Sequence, residues 1–198
     1  MLLQKSCHDM DILQWLIGKK CKKVQSFGAL SHFTEENAPE GAPDYCIEGC
    51  PHGDTCYYNA VKLYLTENRV DWFIAAATKE ADPTEEMIKN AITNAQYGKC
   101  VYKCNNNVVD HQTVNLLFED DITVTFGMNA FNKGGRYIHI MGTDGELNAA
   151  LDGDAPIRFY DFKTKETEEI PMTGKDGISG GHGGGDEGII FDLYEYLN

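Results

Sequence analysis

Basic residues are scarce in this chain: 17 lysines and arginines stand against 31 aspartates and glutamates, a formal net charge of −14. A surface that acidic repels phosphate backbones, which argues against a nucleic-acid partner. Long apolar runs are missing too. The longest, such as WFIAAA at 72–77, fall far short of the ~20 residues that span a bilayer, so no membrane partner is expected. The opening stretch MLLQKSCHDMD has no apolar core of a secretion signal. The seven cysteines are an odd number with no such signal before them. They are therefore expected as thiols or metal ligands in a reducing cytoplasm, not as a disulfide framework.

The chain is nevertheless built to fold. Its 198 residues are 42% hydrophobic and 24% charged, a globular composition with length enough for a substantial core. Residues 1–198 are expected as one domain. CHDMDILQWLIG predicts a first helix ended by Gly18, since Met10, Leu13 and Ile17 recur at helical spacing. The run KKCKK at 19–23 is expected to solvate that helix's end and favour the negative end of its dipole. KKVQSFGALSHF alternates like a strand, and a loop rich in proline, glycine and cysteine follows. YYNAVKLYLTEN and DPTEEMIKNAITNA predict helices, the second capped by Asp82 or Thr84.

From about Cys100 the period changes to two. VVDHQTVNLLF, ITVTFGMNAF, RYIHIMG, ELNAAL and PIRFYDF predict strands, with Ile122, Val124, Phe126 and Met128 on one face. EDD at 119–121 and TDG at 143–145 predict hairpin turns. A helix over DEGIIFDLYEYL closes the chain. Helices followed by a meander of strands predict an α+β fold: an open, mostly antiparallel sheet packed on one face.

Three places carry candidate chemistry. His8, Asp11 and Trp15 share one helix face, where a carboxylate can orient an imidazole for proton transfer. Asp110 and His111 are candidate hydroxyl partners. Neighbours on a strand point to opposite faces, so at most one of them is expected to serve. GGHGGGDEG at 180–188 matches G-x-G-x-x-G at Gly183, Gly185 and Gly188. No strand runs into it, and too little chain follows for a dinucleotide fold. A close-approach loop is favoured over a plain linker: bare backbone and His182 would reach a ligand, and Asp186 would cap the last helix. Separately, Cys46, Cys50 and Cys56 have the spacing C-x3-C-x5-C. They could hold a structural zinc if His52, Cys100 or Cys104 supplied the fourth ligand; free thiols packed as small apolar groups are the alternative.

Taken together, KSCHDMDILQWLIG, SFGALSHF, NAPEGAP, KCVYKCNNNVVDHQ, IMGTDGEL and GGHGGGDEG resemble the C-terminal domain of Gfo/Idh/MocA oxidoreductases over nearly the whole chain. These are relatives of glucose–fructose oxidoreductase and inositol 2-dehydrogenase. The resemblance implies a dihydrodipicolinate-reductase-like C-terminal domain that binds a sugar or polyol and forms a homo-oligomer, such as a dimer, through its sheet. It implies a partnering Rossmann domain, absent from this chain, that binds NAD or NADP, so this chain alone would bind neither and be inactive. His8 matches the family's active-site histidine. Many members carry an aspartate four residues earlier, where this chain has Gln4, which leaves Asp11 to orient His8. Lys5, Asp110, His111, His182 and Asp186 complete the expected substrate-binding set. A stand-alone, non-catalytic binding or dimerisation module is the alternative function.

Overall fold

A computed structural model describes residues 5–66, 71–150, 155–172 and 184–197. The chain divides into two compact units, Met1–Asn132 and Lys133–Asn198. Each combines helix with antiparallel strands, so the class is α+β. The expected sheet is two sheets among the described residues, one of three strands and one of four.

The first unit contains α1 (Cys7–Ile17), β1 (Cys21–Ala29), α2 (Asp71–Thr78), α3 (Glu85–Asn94), β2 (His111–Phe118) and β3 (Thr123–Asn129). Gly18 ends α1 as its spacing predicts. It takes φ 60°, and its amide donates to the Gln14 carbonyl, a left-handed cap that glycine adopts without strain. The strands pair antiparallel in the order β1-β2-β3. Their register aligns Val24, Leu116 and Val124, and likewise Ser26, Val114 and Phe126. Val114, Leu116 and Phe118 are buried, and Met10, Leu13 and Ile17 of α1 pack against them with Val124 and Phe126. The helix therefore sits on one face of this sheet. Val24, on the same face of the edge strand, stays exposed.

The lysine run does something other than cap the helix. Lys19 pairs with Asp120 at 2.9 Å, in the turn between β2 and β3. That turn is the predicted EDD, with Asp120 and Asp121 both at φ 57°. The pair is exposed on both sides, so it orients the turn more than it stabilises the fold.

α2 and α3 touch each other and bury Ile74, Ile88 and Ile92. Thr84 is the cap of α3: its hydroxyl accepts from the Met87 amide. α2 arises from the apolar run at 71–78, which the sequence reading left unassigned. The helix expected over 57–68 is described from 60 to 66, α-helical at 60–61 and π-helical over Lys62–Thr66. After β3 the ladder stops. Gly134 and Gly135 both take positive φ, 101° and 94°, and the chain leaves the sheet there.

The second unit contains β4 (Tyr137–Met141), β5 (Gly145–Ala150), β6 (Ile157–Asp161), β7 (Thr167–Ile170) and α4 (Gly185–Leu197). The four strands form an antiparallel meander in chain order. The turn at 143–145 closes as predicted, with the Gly142 amide on the Gly145 carbonyl. All four side chains of β7 are exposed, and Arg158 faces Glu169 across the β6–β7 pair at 3.5 Å. Asp186 does not cap α4; it lies inside the first turn with Glu187, where a carboxylate suits the positive end of the dipole.

Two substitutions test this packing. Phe118 is 2% exposed at the centre of the α1–sheet core, so Phe118→Ala should cost about 3–5 kcal/mol. A Cβ on Gly98 would fall inside the Ile92 carbonyl, so Gly98→Ala should cost about 1–3 kcal/mol or more. Urea midpoints at constant slope check both; an unchanged midpoint in either contradicts the corresponding contact.

Candidate functional site

Asp110 sits immediately before β2, where the sheet ends and the chain after β1 crosses over. Its amide donates to the Ala29 carbonyl and its carbonyl accepts from the Ala130 amide, which fixes its backbone to both neighbouring segments. The side chain turns inward and is 3% exposed. One carboxylate oxygen accepts from the Ser31 amide at 2.8 Å and the His32 amide at 2.7 Å. The other accepts from the Ser31 hydroxyl at 3.2 Å and pairs with His111 Nδ1 at 2.7 Å. Burial alone would push this carboxyl's pKa up. The His32 amide, the His111 ring and the Ser31 amide and hydroxyl outweigh it and hold the group well below the usual carboxylate range.

This arrangement corrects the expectation that the two neighbours act on opposite faces. Asp110 precedes the ladder, so strand alternation does not govern it, and the two side chains meet. His111 remains about half exposed. The Asp110 carboxylate can only accept, so Nδ1 donates to it, and Nε2 is the ring nitrogen that Asp110 does not engage. Asp110 spends its oxygens on the chain itself and positions His111.

Beside this pair lies an aromatic cluster that the sequence reading did not find. The His32 ring meets Phe33, Tyr102 and Phe131 at centroid distances of 5.1, 5.4 and 5.2 Å, mostly edge-on. Tyr58 packs on Phe33 at 5.1 Å. The Tyr102 hydroxyl lies 3.2 Å from His32 Nε2. Burial, then Cys56, Tyr58 and Cys100, push the Tyr102 phenol up, so it stays protonated at neutral pH and donates to that nitrogen. Phe131 keeps an exposed ring, and its amide is held by the Asn129 side chain. Asn129 is the β3 partner of His111, which links the cluster to the dyad.

The remaining expected residues are placed as follows. His8 and Asp11 are both exposed on α1. Among the described residues no hydrogen bond joins them to each other or to His111, so the orienting role drawn for Asp11 is not made in this conformation. Lys5 is exposed in the turn before α1. Asp186 belongs to the second unit. His182 lies outside the described residues.

The cysteine-rich loop forms a second feature. An isolated antiparallel bridge, Tyr45 to Lys99, pins the loop to the segment before β2, and the Cys100 amide donates to the Asp44 carbonyl at 2.8 Å. Cys46, Cys50, Cys56 and Cys100 line one partly open hollow with Ala42, Tyr58 and Tyr102 among its walls. Burial raises the Cys46 thiol, and Cys100, Cys56 and Cys50 add to the rise against an opposing Ala60 backbone hydrogen bond. All seven cysteines are free thiols. His52 also borders the hollow, with its Nε2 2.8 Å from the Glu40 carbonyl; Cys104 does not, and its Sγ donates to the Cys100 carbonyl.

No helix among the described residues is long and apolar enough to cross a membrane. No family model, curated protein or solved structure matches the chain.

The Asp110 network has a measurable pH signature. Its folded pKa lies below the unfolded value of about 3.9. Between those values the unfolded chain binds a proton that the folded chain does not, so stability falls as pH falls through this window. Asp110→Asn removes that dependence. The stability gap between wild type and Asp110→Asn should be full above about pH 5 and should narrow steadily toward about pH 2. Urea unfolding across that range measures it, and a gap that holds constant with pH contradicts the carboxylate's role.

Proposed function

We propose that this chain is the substrate-binding and oligomerisation domain of an NAD(P)-dependent oxidoreductase acting on a sugar or polyol. The observation that supports it best is the exposed His111 ring, aimed by buried Asp110 beside the Phe131–His32–Tyr102 cluster. Aromatic walls with a few convergent polar groups are what a small polar-apolar ligand requires. The C–H face of a sugar fits against Phe131, and a hydroxyl donates to His111 Nε2. The motifs that resemble Gfo/Idh/MocA enzymes point the same way.

In this reading a substrate alcohol becomes a carbonyl. The C–H hydrogen leaves with its electron pair, and the O–H proton passes to the imidazole of His8. A bound dinucleotide, held by a Rossmann domain outside this chain, supplies the hydride acceptor. His8 stands exposed in the first turn of α1, open to a ligand. Lys5, just before α1, is a further proposed contact to substrate, and a cytoplasmic setting suits the seven free thiols.

One observation favours the second reading, an assembly module. Ile189, Phe191, Tyr196 and Leu197 of α4 are all more than half exposed, an apolar surface of the kind that marks an interface.

Ligand-observed NMR with a panel of hexoses and linear polyols tests the first reading. Saturable binding is expected, weakened about tenfold by His111→Ala, the loss of one hydrogen bond to an oriented ring. NAD and NADP added to the chain alone should give no saturable heat. Indifference to every sugar and polyol, or tight stoichiometric dinucleotide binding, would sink the substrate-domain reading. Light scattering addresses the second: a strictly monomeric profile at high concentration counts against assembly.

A further inference from the structure

Four of the seven cysteines line one hollow, three from the loop at 46–56 and one from residue 100. Cys46 follows Tyr45, and Cys100 follows Lys99, the two residues of the isolated bridge. Cys50 and Cys56 come from the turns between them. Gly49 takes φ 83° to turn the chain after Cys46. The Gly53 amide donates to the Cys50 carbonyl, and the Cys56 amide to the His52 carbonyl. Buried Asn59 locks the loop's exit, donating to the Gly53 carbonyl and accepting from the Val61 amide. The hollow these thiols border has a volume of about 20 Å³, on the order of one water molecule. Among the described residues no three histidine, cysteine, aspartate or glutamate side chains already stand in a metal's coordination geometry. Closing on an ion therefore asks the thiols that line this space to move toward one another.

We propose that Cys46, Cys50, Cys56 and Cys100 form a closed, four-thiolate structural site for a single zinc ion. Four soft sulfur donors in a turn-rich loop fit tetrahedral zinc, which needs neither an open position nor a redox partner. Of the three candidates for the fourth ligand, Cys104 is bonded to the Cys100 carbonyl and does not border the hollow. His52 borders it with Nε2 spent on the Glu40 carbonyl, and Cys100 is assigned instead because a fourth thiol matches the other three donors and ties two segments together. Each ligand thiol gives up its proton to solvent and binds the ion as a thiolate. The ion would tie the loop at 46–56 to the segment at 100, and it would stiffen more than the loop. Tyr58 and Tyr102 each lie two residues beyond a ligand, Cys56 and Cys100, and both belong to the aromatic cluster around His32. The zinc site does not depend on the proposed oxidoreductase reading, since it uses only this chain's own thiols.

Metal analysis of the full chain, purified without chelator under reducing conditions, tests the site. The expected content is about one zinc per chain. Cobalt(II) exchanged into the wild-type chain should give the intense visible absorption of a tetrahedral thiolate complex, which decides the matter even where a cysteine variant fails to fold. Cys56→Ser and Cys100→Ser should lose zinc affinity by at least the roughly 10–100-fold that even outer-partner changes cost. Cys104→Ser, Cys21→Ser and His52→Ala should retain the metal. Failure of the reduced chain to take up zinc or cobalt, full metal content in Cys100→Ser, or iron with inorganic sulfide in place of zinc would each overturn the proposal.

Discussion

The carboxylate of Asp110 is the constraint on which the candidate site rests. It is buried where three segments meet, and four donors from two of them converge on its two oxygens. A charge removed from water to this degree persists only because donors replace its hydration. The consequence is mutual dependence. The crossing after β1 keeps its path because the carboxylate holds the Ser31 and His32 amides. His111 keeps its outward nitrogen because the same carboxylate holds its inner one. Through His32 the constraint reaches Tyr102 and the rings beside it.

The site is built from connections laid over a rigid frame. The three-stranded sheet and α1 supply the frame, with Val114, Leu116 and Phe118 sealed between them. The functional side chains come from the ends of strands and the segments between elements, the usual division of labour between scaffold and loop. What stiffens these connections is polar: the Asp110 network, the Asn59 lock and the Lys103 ammonium, which donates to the Ala42 carbonyl at 2.7 Å and pairs with Asp44.

Elements with a clean period were legible in the sequence. α1 and its Gly18 cap, the strands β1 to β6, the turns at 119–121 and 143–145 and the Thr84 cap all follow from local pattern. α2 was not, because DWFIAAAT is too short and too uniformly apolar to show a helical stripe. β7 was not, because TEEI carries no apolar alternation and exists only as the partner of β6. The break into two sheets turns on the backbone angles of Gly134 and Gly135, which composition does not reveal. Asp110 and His111 were named as candidates, but their contact was missed: the alternation rule was applied to a residue one position outside the strand. The aromatic cluster gathers residues 32, 33, 58, 102 and 131, and no local signal joins positions so far apart. Cys100 stood with His52 and Cys104 as a candidate fourth ligand, and only the Tyr45–Lys99 bridge shows how it comes to border the hollow of the other three cysteines.

The outermost strand of the second unit has a bearing on how this chain meets its neighbours. Among the described residues β7 is the edge strand of its sheet, and an edge of that sort recruits other strands. Its central residues, Glu168 and Glu169, are both exposed. A second copy aligning there antiparallel would crowd like charges along the new seam, a built-in refusal of fibre-like stacking. Any strand approaching this rim meets those carboxylates first, so the acidity noted at the outset acts here against edge-to-edge pairing.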